Sequence, residues 1–281
     1  MEVRFWGTRG SIAAPGPNTV RYGGNTTCLE VLLEGGQRVI LDAGSGIRPL
    51  GLVLSRSRKP VECYLLITHI HWDHIMGFPF FAPVYEEGSR IKIDGCKRAM
   101  EGLRMTLNKG MVDGVFPVEF DSLSQRIEPL SHLCQGPLRI GSAVVEGIEL
   151  RHPQGGMGFR IREGDSSLVF LTDNELSPHP VNGRSHADYV SFCRGADLLI
   201  HDAQYLPSEM GARRGWGHSD CVSAVNLALE AGVGRLLLTH HDPDRTDQEV
   251  DDLVETAKAH AQEKGSGLEM DGAREGQVFR I

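Results

Sequence analysis

Three histidines and an aspartate fall within six residues, His69-Ile70-His71-Trp72-Asp73-His74. Imidazole and carboxylate are both ligands for divalent transition metals, so the spacing reads as a metal cluster. A polar turn would account for one histidine, but three with an aspartate make metal binding the better reading. The cluster follows Cys63-Tyr64-Leu65-Leu66-Ile67, an apolar run that reads as a buried strand. That strand would deliver the cluster to its carboxyl end, on a turn facing a cleft, with Asp73-His74 opening a helix.

The same device, a buried strand with a polar residue at its end, recurs near residues 42, 69, 152, 173, 201 and 240. Asp42 either supports a ligand histidine from behind or caps a helix beginning near Ile47. His152 follows a strand over residues 143–150 and enters a Gly-rich turn, as a ligand or as a surface histidine. Asp173 ends the run Leu168-Val169-Phe170-Leu171, where a carboxylate suits a bridge between two metals or simply a turn. His218 precedes a helix capped by Ser219 or Asp220, and stands either at that helix's N-terminal end or on a solvated loop. His240 and His241 both end the strand Arg235-Leu236-Leu237-Leu238-Thr239. Each has a local explanation as a turn or cap. Their joint occurrence is not well explained by turns alone.

Other elements must hold these ends together. Val3 to Trp6 reads as a first strand, followed by the loop Gly7-Thr8-Arg9-Gly10-Ser11, whose glycines either admit an anion to backbone N–H groups or merely connect strands. Residues 28–33 and 38–41 form a hairpin by their spacing. Residues 78–83 are apolar and Pro-broken, as core or as a pocket wall. Further strands are expected at 91–95, 118–120 and 126–130, a helix at 98–107, and a Gly-containing stretch fit for a mobile flap at 108–116. Residues 186–193 have helical spacing. Thr246 and Glu249 make a capping box for a helix with Val250, Leu253, Val254 and Ala257 on one face. Residues 277–281 close as a strand. Nothing marks a linker or repeat, so one domain is expected over 1–281.

Composition bounds the function. Of 281 residues, 40% are hydrophobic and 23% charged, as in an ordinary soluble protein. Lys plus Arg is 29 against 37 Asp plus Glu, a formal charge of -8. An acidic chain is a poor long-range magnet for polyanions, which argues against a large nucleic-acid footprint. Six cysteines without C-x-x-C spacing read as free thiols in a reducing compartment. The first residues lack a signal pattern and no apolar run reaches membrane-spanning length, so a cytoplasmic location is expected, with a homodimer allowed for.

The H-x-H-x-D-H pattern resembles the signature of the metallo-β-lactamase superfamily. Within it, Leu198-Leu199-Ile200-His201-Asp202-Ala203, Gly217-His218-Ser219, Leu238-Thr239-His240, and His152 followed by Gly158-Phe159-Arg160 are similar to the ribonuclease Z and phosphonate-pathway phosphodiesterase branch. The resemblance implies an α/β fold, a four-layer αββα sandwich of two mixed β-sheets flanked by helices. It also implies two divalent metal ions, zinc first, with manganese or iron as alternatives. His69, His71 and His152 would hold one. Asp73, His74 and His240 would hold the other, with His241 the nearest competitor of His240, and Asp173 would bridge them. Asp73 would thus serve in catalysis as a ligand, and His218 would be non-ligating and beside the leaving group.

Such a pair of ions would acidify a water for attack and clamp both oxygens of a phosphodiester. The expected reaction is hydrolysis of a small or cyclic phosphodiester. Alternatives on the same fold are carboxylic ester, lactone, thioester or β-lactam hydrolysis, or a ribonuclease Z-like RNA endonuclease. No basic Gly-rich arm for gripping transfer RNA stands out between His74 and His152 or between Asp173 and His240. No cysteine cluster matches the phosphonate-pathway enzyme's additional zinc.

Overall fold

Residues 1–95, 120–176 and 183–281 are described by the computed structural model. The helix expected over 98–107 and the stretch 108–116 lie outside the described residues. Most of the strand expected at 118–120 does too. Phe120 does not extend it, because it opens a 3-10 helix, Phe120–Arg126.

Two seven-stranded sheets form the middle of the molecule. The first contains β1 (Glu2–Gly7), β2 (Cys28–Leu32), β3 (Arg38–Leu41), β4 (Glu62–Ile67), β5 (Arg90–Gly95), β6 (Ile127–Pro129) and β14 (Val278–Arg280). They run in the order β14-β1-β2-β3-β4-β5-β6. The second contains β7 (Leu138–Ile140), β8 (Ala143–Glu149), β9 (Met157–Glu163), β10 (Ser166–Leu171), β11 (Leu198–Asp202), β12 (Arg235–Thr239) and β13 (Glu269–Gly272), in the order β13-β12-β11-β10-β9-β8-β7. Each sheet is mixed. β3 to β6 are parallel neighbours, as are β10 to β13, and the remaining pairs are antiparallel. Sequence reading missed β7, which is three residues long, and β13, whose apolar content is Met270 alone.

Strand side chains alternate between faces, and the core follows that period. Leu168 and Phe170 of β10 join Phe159, Leu198, Ile200, Leu237, Val31 and Val39 in a core between the sheets. Val169 and Leu171 of the same strand point outward, under the helices α3 (His186–Cys193), α5 (Cys221–Ala231) and α6 (Asp247–Glu263). On the far face of the first sheet, Ile40, Leu65 and Ile93 pack against α1 (Ile47–Ser55) and the 3-10 turns at Phe78–Phe80 and Ala82–Tyr85. Three cores between four layers is the expected αββα sandwich. Each large side chain buried in them stabilises the fold by roughly 1.5–3 kcal/mol relative to exposure.

The helices begin and end where the sequence has capping residues. Thr246 and Glu249 form a reciprocal capping box at α6, as Ser185 and Asp188 do at α3. Asp220 rather than Ser219 caps α5, accepting from Ser223 N at 2.9 Å, and Gly232 ends that helix in the left-handed region at φ 63°. Residues 78–83 serve mainly as core, with Phe78 and Phe81 buried. The free thiols of Cys28, Cys63, Cys193 and Cys221 are buried, and Cys134 is exposed. No helix among the described residues is long and apolar enough to cross a membrane.

Candidate metal centre and active site

The parallel strands converge. β3 ends at Asp42, β4 at the His69–His74 cluster, β10 at Asp173, β11 at Asp202 and β12 at His240. Carboxyl ends of parallel strands are where open α/β sheets build their sites. Three of these residues, Asp42, Asp173 and His240, have φ of 62°, 52° and 60°. Left-handed backbone at a non-glycine residue costs on the order of 1–3 kcal/mol and persists where surrounding structure enforces it. Each strand therefore turns away abruptly and leaves its last side chain aimed at the sheet junction.

Three sets of ligand atoms converge around Asp173. One groups His69, His71, His152 and Asp173 with all donor atoms within 4.8 Å of one another, a second groups Asp73, His74 and His240 on the same criterion, and a third groups Asp173, Asp202, His218 and His240. Asp173 touches all three. Its Oδ1 lies 3.7 Å from His69 Nε2, while its Oδ2 lies 3.2 Å from His74 Nε2 and 3.2 Å from His240 Nε2. Asp73 Oδ2 is 3.2 Å from His74 Nε2 and 3.3 Å from His240 Nε2.

The second nitrogen of each histidine is held by the protein. His74 donates from Nδ1 to Asp42 Oδ2 at 2.8 Å, and Asp42 is itself held by Thr68 N at 2.8 Å. Support from behind, not helix capping, is therefore what Asp42 does; Gly46 stands at the N-terminus of α1 without a side-chain bond. His71 Nε2 meets Gln154 Oε1 at 2.9 Å. His152 Nδ1 meets the Gly217 carbonyl at 3.3 Å, His240 Nδ1 meets Gln204 Oε1 at 3.2 Å, and His69 Nδ1 meets Thr68 Oγ1 at 3.1 Å. Such partners fix the tautomer so that the other nitrogen offers a lone pair. In accord with this, the buried Nε2 atoms of His69 and His74 have no hydrogen-bond partner within the protein. Buried, unpartnered imidazole nitrogens converging on carboxylates fit divalent metal ions.

His241 faces the other way, its Nε2 donating to the Ala273 carbonyl at 2.9 Å. Burial, with Arg9, His240 and Arg245 nearby, pushes its pKa down to about 3. Burial likewise brings His152 down to about 4. His74 moves oppositely. Burial disfavours its charged form, but Asp73, Asp173 and Asp42 outweigh that and raise it.

His218 belongs to the third set alone, with Asp202 as its nearest partner. Its Nδ1 lies 2.7 Å from Asp202 Oδ2 and 3.7 Å from Asp173 Oδ1. Its ring stacks on His240 with centroids 4.9 Å apart. Burial opposes protonation, yet Asp202, with Asp173 and Asp73 behind it, pushes the imidazole up to about 9. Asp202 is one of several residues whose part sequence reading missed; its signal was its place at the end of β11. Glu175 is another. This buried carboxylate accepts from Gly215 N at 2.9 Å and Gly217 N at 3.0 Å, clamping the turn that carries His218. Ser11 is a third, donating its backbone N–H to Asp73 Oδ2 at 2.7 Å. The loop from Gly7 to Ser11 thus reaches the site through one N–H, while the buried Arg9 ties it to the carbonyls of Asp242 and Arg245.

Comparison with known proteins agrees with this architecture. Ribonuclease Z of Lactococcus lactis subsp. cremoris (strain SK11) is 27% identical over 299 residues, covering 92% of this chain and 94% of that protein. The metallo-β-lactamase fold protein YhfI from Bacillus subtilis superposes with a TM-score of 0.73 at 21% identity, covering 99% of this chain and 98% of that one. A diphosphatase of the PhnP family superposes with a TM-score of 0.68 at 17% identity, covering 100% and 97%. The family model described as the β-lactamase superfamily domain matches residues 37–241, and the chain belongs to that superfamily, as a metal-dependent hydrolase.

Proposed function

We propose that the protein is a phosphodiesterase acting on a small or cyclic phosphodiester, with His69, His71 and His152 holding one divalent ion, Asp73, His74 and His240 a second, and Asp173 shared between them. The observation that carries the choice of reaction is the Asp202–His218 pair, 2.7 Å apart at the edge of the ligand cluster. Two divalent ions, zinc first, would supply Lewis acidity that acidifies water and offsets charge on phosphoryl oxygens. The protein's own groups do the rest. Asp202 orients the His218 ring and keeps its proton on Nδ1, which leaves Nε2 to face a substrate. Protonated, His218 donates to the departing alkoxide, which cannot leave an unactivated phosphodiester as a free anion at neutral pH. Asp73 stays ionised, held by the Ser11 N–H and two imidazoles. The same proton donor is less needed for a β-lactam or activated ester, where the leaving group is better.

A second reading has support of its own. The ribonuclease Z relatives stand in tension with the expectation, drawn from net charge, that large nucleic acids are not substrates. An acidic total does not preclude a local RNA contact. One panel separates the readings: bis-p-nitrophenyl phosphate, cyclic nucleotides, a precursor transfer RNA, a lactone and a β-lactam, each assayed with zinc and manganese. Turnover of the small phosphodiesters is expected. Carbonyl-only activity would overturn the phosphodiesterase reading, and turnover restricted to precursor RNA would move the protein to the second.

A further inference from the structure

A cavity of about 460 Å³ opens on the outer face of the second sheet, beside α3, and none of its lining residues belongs to the His–Asp cluster. That volume is of the size that takes a small molecule. Its floor is β8 and β9. Glu146 and Arg160 pair across the two strands, and Ile148 and Arg162, each two residues along, share their face. Phe192 of α3 and Arg184, just before that helix, form the wall. The charges do not balance, for three guanidiniums meet two carboxylates, Glu146 and Asp188. Both carboxylates are engaged. Glu146 Oε2 lies 2.6 Å from Arg162 Nη2, and Asp188 accepts from Ser185 Oγ at 2.7 Å in the α3 capping box. Arg160 enters no ion pair among the described residues. It donates from Nη1 to the Phe192 carbonyl at 2.7 Å and from Nη2 to the Arg194 carbonyl at 3.1 Å. Such carbonyls are those a helix C-terminus leaves open, but they carry no net charge. Its Nε is buried without a hydrogen-bond partner. Burial, then the like charge of Arg162, lower its pKa. Arg184 is scarcely better paired, 4.0 Å from Glu149 Oε2.

We propose that this cavity is a second binding site, apart from the metal centre, for a small organic anion with one oxyanion head, carboxylate or phosphate, on a compact apolar body. Arg160 and Arg184 take the head, since a guanidinium fork matches an oxyanion with two parallel N–H bonds. Ile148 and Phe192, both half-buried, receive the apolar body. The lining carries one positive charge in excess, which suits a single head and not a polyanion such as RNA. Such a site stands whichever ester the metal centre hydrolyses.

Zinc-loaded protein is titrated calorimetrically with benzoate and with phenyl phosphate, which share the ring and differ in the head. Saturable binding is expected, and the tighter of the two identifies the head. Arg160→Gln and Arg184→Gln should each weaken it about ten- to a hundredfold, the span of a charge-assisted hydrogen bond. Glu146→Gln removes the carboxylate beside Arg162 and should tighten binding about two- to fivefold, a gain that misfolding cannot produce. Arg56→Gln, at the C-terminal end of α1 beyond the first sheet, makes the same change of net charge. It should alter binding by less than about twofold. Binding of neither anion, or equal losses in Arg160→Gln and Arg56→Gln, would overturn the site. So would binding that vanishes in His240→Ala and survives Arg160→Gln, which belongs to the metal ions. Binding of a single-stranded RNA that Arg160→Gln abolishes, where neither small anion binds, would make the cavity a nucleic-acid contact and overturn it as well.

Discussion

Asp202 Oδ2 and His218 Nδ1 lie 2.7 Å apart, both buried, joining the end of β11 to the turn before α5. The pair favours the protonated form of a histidine that burial alone would keep neutral. Burial works against its charge, and Asp202 prevails, so the pKa stands raised, at about 9. A raised pKa means the ring keeps its proton below that value and loses it as pH rises through it. Activity that uses the proton should therefore fall on the alkaline side, at a pH that bound cations draw below 9. Asp202→Asn removes the largest charge holding the proton and should move that limb of kcat/KM further down in pH. His218→Ala should cost about 10²–10⁴ in turnover with metal content intact. An alkaline limb indifferent to Asp202→Asn, or metal lost with His218→Ala, would place the residue in another role.

The metal assignment predicts a contrast between adjacent histidines. His240→Ala should lower bound zinc from about two per chain towards one, since His240 Nε2 faces Asp73 and Asp173. His241→Ala should leave the stoichiometry alone, because its ring is spent on Ala273. Elemental analysis of both variants decides this. Chelation of the native protein should abolish activity and lower Tm, and restored zinc at a hundred times its Kd should return about 2.7 kcal/mol. A Tm insensitive to zinc would count against a site of this kind.

His241 also sets a pH dependence of folding. Its folded pKa of about 3 lies below the unfolded value. The unfolded chain therefore takes up a proton that the folded chain refuses. That contribution to stability is complete above about pH 6.5 and is lost as pH falls towards 3, at up to about 1.4 kcal/mol per pH unit. The unfolding midpoint of metal-free protein in urea should fall between pH 7 and pH 5, and less steeply in His241→Asn. Identical slopes in the two proteins would show that another group carries the effect.

The strand ends were legible because period-two apolar runs stop at polar residues, and the family pattern told which ends belong together. Residues whose meaning depends on a distant partner were not legible. Asp202 was visible at the end of its strand, but nothing local pairs it with residue 218. Nothing in the sequence singles out Gln154 or Gln204, and only the fold shows them against His71 and His240. Nothing local marks Glu175, which is buried under the turn it clamps. Replacing it by Ala frees Gly215 and Gly217 and should lower kcat about tenfold to a hundredfold through misplacement of His218. Glu175→Gln, which keeps an acceptor, should recover much of it. Equal losses in the two would favour a charge effect over positioning.

Gly10 shows how far a loop glycine can act. Its sequence context allowed an anion loop or a plain connector, and the structure gives a third reason for the residue. A Cβ at Gly10 would stand 2.3 Å from Cε1 and Nδ1 of His240, well inside contact distance. Gly10 N donates to the carbonyl of His241 at 2.9 Å, so the loop has little room to retreat. Gly10→Ala must therefore push the His240 ring from its bond to Gln204 and from its approach to Asp73. Zinc affinity should drop by about ten- to a hundredfold, the scale on which disturbed support around a ligand acts, while the fold, anchored by the strands on either side, persists. Gly16→Ala meets nothing within 4 Å and serves as the control in the same loop. Zinc titration of the two variants by competition with a chromogenic chelator makes the comparison, and equal affinities would mean that His240 has freedom the packing denies it.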